Sequence, residues 1–221
     1  MRIDATFVRS AAAADDFPSA LSLSKGGRAV EIALVGRSNV GKSSVINALV
    51  RRRVARTSAA PGKTRLANIY RVEREGAPVV YFVDLPGYGF AKGAGHRQFA
   101  DVAHLAFERR PAALLLVDAR HPGLESDLSA WRWLHETIGD AAAIAATKID
   151  KLARGQRIRA VRKLESVFEH PVLAVSAVTG EGLEELWKAI DNLANINRRR
   201  SPHSSLHAEA TAPPHRKNSN E

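Results

Sequence analysis

The sequence predicts an α/β fold with a mostly parallel six-stranded sheet, one antiparallel strand and helices on both faces. Apolar runs of strand length alternate with stretches of helical periodicity from residue 28 to residue 197. This alternation is typical of a three-layer domain with a parallel sheet. We expect strands at 30–35, 66–73, 78–84, 112–118, 141–147 and 171–175, and helices at 43–52, 96–109, 125–138, 154–168 and 181–196.

The antiparallel strand is predicted by the short link between two of these segments. Residues 66–73 and 78–84 are separated by Glu75-Gly76-Ala77. So short a connection permits only an antiparallel pair, because a parallel crossover needs a dozen or more residues. The apolar stripes of helices 125–138 and 181–196 include Trp131 and Trp187, which we interpret as packing residues.

Two flanking segments differ from the central domain at 28–197. Residues 1–27 are rich in Ala and Ser and are expected to form a partly ordered N-terminal extension, with a short strand at 5–8. Residues 198–221 are basic and contain few apolar side chains. They cannot bury enough apolar area to fold alone, so we expect a disordered basic tail.

Composition narrows the class of protein. The absence of cysteine excludes disulfides and thiolate metal sites. No apolar run approaches the roughly 18 residues of a membrane span, and no secretory signal is evident. We therefore expect a cytoplasmic protein without a membrane partner. The net charge of +10 favours a polyanionic partner such as nucleic acid.

A phosphate-binding loop is the most informative motif. The pattern Gly, four residues, then Gly-Lys-Ser follows an apolar strand and precedes a helix, as such a loop requires. We expect Lys42 to reach the β- and γ-phosphates and the Ser43 hydroxyl to bind Mg²⁺. The candidate nucleotide-binding residues are Gly36, Arg37, Ser38, Asn39, Val40, Gly41, Lys42 and Ser43.

A second motif, Asp84-Leu85-Pro86-Gly87, follows the strand expected at 78–84. An aspartate at the carboxyl end of this strand faces the phosphate loop and is expected to help hold Mg²⁺. Gly87 leaves room for its backbone N–H to approach a γ-phosphate. Leu85 and Pro86 are included in the candidate site as members of the motif.

Two further motifs indicate the base. In Thr147-Lys148-Ile149-Asp150, a buried carboxylate at Asp150 can accept two hydrogen bonds from guanine, and adenine lacks that paired donor edge. The alternative is that Asp150 is a solvated helix cap. In Ser176-Ala177-Val178, the backbone N–H of Ala177 is placed to meet the guanine O6.

The loop 58–65 completes the candidate site. Thr64 is the residue expected to bind Mg²⁺ when a γ-phosphate is present, so the loop would order with the triphosphate. The alternative is a flexible surface loop. Candidate nucleotide contacts in and beside it are Gly62, Lys63, Thr64, Arg65 and Leu66.

The combined motifs closely resemble those of the EngB (YihA/YsxC) GTPases, in the Era-like group of translation GTPases. The resemblance covers about residues 5 to 195, and Tyr88-Gly89-Phe90-Ala91-Lys92 is its most specific part. It is carried also by the phosphate loop, Pro61-Gly62-Lys63-Thr64 and Asp118-Ala119-Arg120-His121-Pro122. Two segments depart from common patterns: Thr147 stands where many GTPases have Asn, and Ser176-Ala177-Val178 differs from the family's usual Ser-Ser-x-Lys.

The resemblance implies a function in ribosome biogenesis. It implies GTP and GDP as bound nucleotides, Mg²⁺ as cofactor, and a switch in large-subunit assembly that is linked to cell division and septation. The implied partners are a large-subunit precursor, its rRNA and ribosomal proteins. We expect a monomer and no DNA partner.

Hydrolysis is expected to be slow without stimulation. Tyr88 occupies the position where many GTPases have a water-orienting glutamine, and its ring is expected to point away. The resemblance implies that Asn39 holds K⁺ between the phosphates, which would offset charge in the transition state. The alternative is that Asn39 only stabilises its loop. The expected catalytic residues are Lys42, Thr64 and Asn39, whereas His96 and His121 lack metal-ligand spacing.

Two other functions remain open from the residues alone. The chain can be an RNA- or ribosome-binding scaffold whose nucleotide site is structural. It can also be a P-loop kinase or ATPase, although Asp150 argues against adenine. Nucleotide preference and the effect of Lys42→Ala distinguish these alternatives.

Overall fold

A seven-stranded sheet forms the centre of the computed structural model, which describes residues 2–17, 29–56, 66–88 and 94–200. The strand order is β1-β3-β4-β2-β5-β6-β7. The strands are β1 (Ile3–Ala11), β2 (Val30–Gly36), β3 (Ala67–Arg74), β4 (Val80–Asp84), β5 (Ala112–Asp118), β6 (Ala142–Thr147) and β7 (Val172–Ala174). The helices are α1 (Lys42–Leu49), α2 (Ala94–Glu108), α3 (Glu125–Ile138), α4 (Arg154–Phe168) and α5 (Leu183–Arg200).

The expected fold class is confirmed. Strands β4, β2, β5, β6 and β7 are parallel, and β3 runs antiparallel to both of its neighbours. The short turn after β3 produces this reversal, because Ala77 N donates to Arg74 O at 3.1 Å. The expected six strands gain a seventh, since β1 spans nine residues rather than the expected four and pairs with β3 along its length, with a register shift between Phe7 and Arg9.

The helices begin and end close to the expected positions. The bounds of α3 and α4 agree with 125–138 and 154–168, whereas α5 continues to Arg200. Both tryptophans are packing residues, each 7% exposed. The indole Nε1 of Trp187 also donates to Leu49 O at 3.3 Å, which joins α5 to the end of α1.

The core lies on both faces of the central strands. Every residue of β5 is buried, which agrees with its continuous apolar run from 112 to 117. Helix α5 contacts β2, β5 and β6 on the sheet. Its position is held by Arg74, whose guanidinium pairs with Asp191 and lies 3.9 Å from the ring centroid of Trp187.

Four parts of the expected organisation lie outside the described residues. They are residues 18–27 of the expected N-terminal extension, the whole loop 58–65, residues 89–93 after the second motif, and residues 201–221 of the expected tail. Among the helices described, none combines the length and apolar character that crossing a membrane requires.

Candidate nucleotide-binding site

The sheet brings the predicted motifs together at one edge. The phosphate loop follows β2, the Asp84 motif ends β4, the Asp150 motif follows β6, and Ser176 follows β7. Because these four strands are parallel, their carboxyl ends meet at the same edge, where open α/β sheets bind ligands. Side-chain hydrogen bonds connect the motifs directly.

The phosphate loop turns sharply before α1. Asn39 and Gly41 have positive φ angles of 63° and 109°, and Gly41 caps the helix N-terminus. Lys42 is buried, and its Nζ donates to Gly36 O at 3.2 Å across the loop. Burial lowers the pKa of Lys42, and the charge of Asp84 acts in the opposite direction. The Lys42 side chain therefore lies across the phosphate loop and is held by the carbonyl of its first glycine.

Ser43 and Asp84 form a donor set that fits Mg²⁺. The Ser43 hydroxyl donates to Asp84 Oδ2 at 2.9 Å, whereas Asp84 Oδ1 is buried without a hydrogen-bond partner among the described residues. Burial raises the pKa of Asp84, while Lys42 and Ser43 lower it. A buried carboxylate oxygen without a partner is costly, and oxygen ligands are those that Mg²⁺ prefers. Thr64, the other expected metal ligand, lies outside the described residues.

Gly87 packs directly on the phosphate loop. Ser38 Oγ donates to Gly87 O at 3.2 Å, and Ser38 N donates to Tyr88 O at 3.1 Å. A Cβ added at Gly87 would lie 2.5 Å from Ser38 N, so no side chain fits there. Sequence analysis predicts that this glycine lets its N–H approach a γ-phosphate. It does not predict the contact with Ser38, because the two residues are 49 positions apart.

Tyr88 is held against α3. Its side chain is buried, and its hydroxyl donates to Asp127 Oδ1 at 2.9 Å. Burial and the Asp127 carboxylate both raise the pKa of Tyr88, so the phenol stays protonated at neutral pH. Sequence reasoning missed Asp127, since an aspartate in the first turn of a helix is ordinarily a solvated residue.

Asp150 is supported by Ser176. The Ser176 hydroxyl donates to Asp150 Oδ1 at 2.7 Å, and this hydrogen bond lowers the pKa of the carboxyl group. The helix cap of α4 is Ala153, so the alternative that Asp150 caps this helix is wrong. Ser176 is fully buried, whereas Val178 is 78% exposed. The first residue of the Ser176 motif thus supports the carboxylate, and the third faces solvent.

Lys148 connects the base motif to the phosphate loop. Its Nζ donates to Asn39 O and, at 3.0 Å, to Asp118 Oδ2. The Arg120 guanidinium pairs with the same carboxylate, and these two cations hold the pKa of Asp118 well below its usual range despite partial burial. Sequence analysis places Asp118 in a motif shared with the EngB family but predicts no role for its side chain. Its place at the end of β5, beside the other motif-bearing strands, is the signal that marks it.

Thr147 makes a second connection to the loop. Its buried hydroxyl lies 2.7 Å from Val40 O and 3.1 Å from Val117 O. A threonine at this position therefore joins β6 to both the phosphate loop and β5. His121 is exposed, and the described residues contain no group of three or more His, Cys, Asp and Glu side chains able to hold a metal ion.

Comparisons with known proteins identify the family. The family model described as "50S ribosome-binding GTPase" matches residues 31–148. A probable GTP-binding protein EngB of Pelotomaculum thermopropionicum is 38% identical over 206 residues, which cover 89% of this chain and 98% of that protein. The chain belongs to the EngB family of GTP-binding proteins.

Other EngB proteins and solved structures agree with this assignment. The EngB proteins of Clostridioides difficile and Thermotoga maritima are 42% and 38% identical, covering 75% and 88% of this chain and 84% and 98% of theirs. A solved structure of a probable EngB has a TM-score of 0.56 at 23% identity, covering 75% of this chain and 99% of the other. Era in complex with MgGDPNP and 16S ribosomal RNA has a TM-score of 0.62 at 22% identity, covering 75% of this chain and 56% of Era. At these identities the structures show the shared fold.

We expect Thr147→Val to lower the free energy of unfolding by about 1–3 kcal/mol, the range for a buried polar group that loses its partner. Valine keeps the shape but leaves the buried Val40 carbonyl without this hydroxyl. Thr147→Ser is the matched control, because it keeps the hydroxyl and loses only a methyl group. Denaturant unfolding of the three proteins measures the effect, and equal stability of the Val and Ser variants would contradict it.

Proposed function

We propose that this EngB-family protein is a slow GTPase whose nucleotide state controls its association with a precursor of the large ribosomal subunit. The observation that carries the proposal is the contact of Lys148 with Asn39, which joins the base motif to the phosphate loop. A ligand that contacts both motifs must carry a base and phosphates, as a nucleotide does. Membership of the GTP-binding family supports the same reading.

In this proposal, residues 36–43 bind the nucleotide phosphates and Lys42 stabilises the charge that develops on them. Ser43, Thr64 and Asp84 hold Mg²⁺, which would neutralise phosphate charge when bound. Residues 62–66 and 84–87 respond to the γ-phosphate. Residues 147–150 and 176–178 bind guanine, and Asp150 recognises its donor edge.

Slow hydrolysis is supported by the position of Tyr88. Its hydroxyl is bonded to Asp127, so it is not presented to a water beside the γ-phosphate. We propose that K⁺ held by Asn39 supplies positive charge in place of an arginine finger. Lys148 donates to the backbone carbonyl of Asn39, an exposed residue, and this hydrogen bond helps to define the loop conformation.

The ribosomal part of the proposal rests on charge and family. The net charge of +10 favours an RNA partner, and the matching family model is named for binding the 50S ribosome. The proposed partners are rRNA and ribosomal proteins of the large subunit in the cytoplasm, met by a monomer. We further propose that defects in this assembly step impair normal cell division.

We expect Asp150→Asn to weaken GTP and GDP binding by about 100-fold, because two charge-assisted hydrogen bonds to guanine are lost or weakened. The amide can still accept from Ser176, so the support of residue 150 is kept. Xanthosine nucleotides should bind the variant better than the parent, since their C2 carbonyl accepts from the new amide. Calorimetric titration measures all three nucleotides, and unchanged guanine affinity would remove Asp150 from the site.

We expect GTP hydrolysis to be faster in KCl than in NaCl at equal ionic strength, with the difference lost in Asn39→Gly. Glycine is the suitable replacement because it accepts the positive φ of 63° at this position. Phosphate release at saturating GTP measures the rates. Equal rates of the parent protein in the two salts would exclude the K⁺ proposal.

We expect the protein to co-sediment with large-subunit particles more tightly in a non-hydrolysable GTP analogue than in GDP or without nucleotide. Lys42→Ala should lose nucleotide binding and this regulation. If Lys42→Ala associates as the parent does, and nucleotide has no effect, the protein is an RNA-binding scaffold with a structural nucleotide site.

A further inference from the structure

Helix α4 carries a concentration of positive charge that the nucleotide site does not use. From Arg154 to Leu164 the helix contains no acidic residue. Its basic side chains are Arg154, Arg157, Arg159, Arg162 and Lys163. Other surface helices differ: α3 combines acidic and basic side chains, and α5 begins with Glu184 and Glu185.

One of these five cations has a structural role. Arg157 donates from Nε to Leu152 O at 2.8 Å and from Nη1 to Glu181 Oε2 at 2.7 Å. The other four are exposed and form no ion pair with any residue in the described ranges. By contrast, Arg74 on β3 and Arg109 after α2 lie against carboxylates. The charge of α4 is therefore directed outward.

The spacing of three of them places them on one face. Arg159, Arg162 and Lys163 stand at i, i+3 and i+4, where side chains on a helix are neighbours. Like charges at these spacings destabilise a helix by a few tenths of a kcal/mol per pair. Leu164 and Phe168 bury the opposite face. None of these three side chains forms an ion pair within the described residues, so an anionic partner would relieve the repulsion.

We propose that the outward face of α4, formed by Arg159, Arg162 and Lys163, binds the phosphate backbone of RNA alike in the GDP-bound and GTP-bound states. The choice of RNA rests on the proposed function. Two of these three cations are arginines, whose planar forks match phosphate oxygens in paired hydrogen bonds. Three neighbouring cations on one face can contact successive phosphates along a strand.

The apolar content of α4 argues for RNA over a lipid surface. Its exposed large apolar side chains are Ile158, 49% exposed, and Val167, 37% exposed. A helix that lies in a membrane interface presents a continuous apolar face with several large side chains. The apolar face of α4 is instead packed on the protein through Leu164 and Phe168. Contact with RNA phosphates requires no such face.

Because guanine is common to GDP and GTP, the attachment of α4 beside the base motif makes its contribution independent of the γ-phosphate. Arg157 ties it to Glu181, in the loop whose Ser176 supports Asp150. The helix shares no residue with the segments proposed to respond to the γ-phosphate, at 62–66 and 84–87. Nucleotide-dependent affinity would come from those segments, and α4 would add a constant, salt-sensitive contribution.

The test compares two variants of equal net charge. One changes Arg159, Arg162 and Lys163 to Gln, and the control changes Arg51, Arg53 and Arg110 to Gln, which are exposed and form no ion pair within the described residues. Binding to a short RNA duplex and to purified large-subunit rRNA is measured between about 50 and 200 mM salt. The α4 variant should bind about tenfold more weakly and lower the salt slope by about 2–3, equally in GDP and in a GTP analogue. The control should change affinity far less.

Equal losses in the two variants would overturn the proposal, because they would show an effect of net charge alone. A loss confined to anionic vesicles, measured by flotation, would also overturn it in favour of a lipid partner. GTP affinity of the α4 variant should equal that of the parent, which verifies folding. If the parent fails to associate with ribosomal particles in any nucleotide, the proposed function fails, while the duplex measurement still decides the role of α4.

Discussion

The contact between Lys148 and the phosphate loop is the interaction on which the site depends. The ammonium group donates to Asn39 O and pairs with Asp118, while the neighbouring Thr147 hydroxyl lies against Val40 O. The end of β6 therefore holds the loop from residues 107 and 109 positions away, and Asp118 at the end of β5 holds Lys148 in place. A loop fixed in this way can present its backbone to phosphates without first paying the entropy of ordering.

Two buried charges, Lys42 and Asp84, lie beside the phosphate loop. Burial lowers the pKa of Lys42 and raises that of Asp84, so each charge is costly in its own environment. The positive charge of Lys42 and the negative charge of Asp84 partly stabilise each other. Phosphate beside Lys42 and Mg²⁺ beside Asp84 would add the counter-charges that both groups favour, and this gives a physical reason for nucleotide and metal to bind together.

Much of the fold and of the site could be predicted because the signals are local. The phosphate loop, Asp84 and Asp150 each stand at the carboxyl end of a recognisable strand, and the bounds of α3 and α4 follow from helical periodicity. The residues that were missed act through distant partners. Asp127 matters because Tyr88 reaches it across 39 positions, and Ser38 because it packs on Gly87. Pairing across such distances leaves no periodic pattern in the sequence. The length of β1 is greater than predicted for the same reason, because it is set by pairing with β3.

We propose that Lys148 and Asp150 join phosphate recognition to guanine recognition in one site. Titration of the parent protein with GTP and with ATP in Mg²⁺ tests it most directly. The account predicts that GTP binds at least about 100-fold more tightly, because a site built for a hydrogen-bonded edge strongly rejects the base that lacks it. Equal affinity, or preference for ATP, would contradict the account.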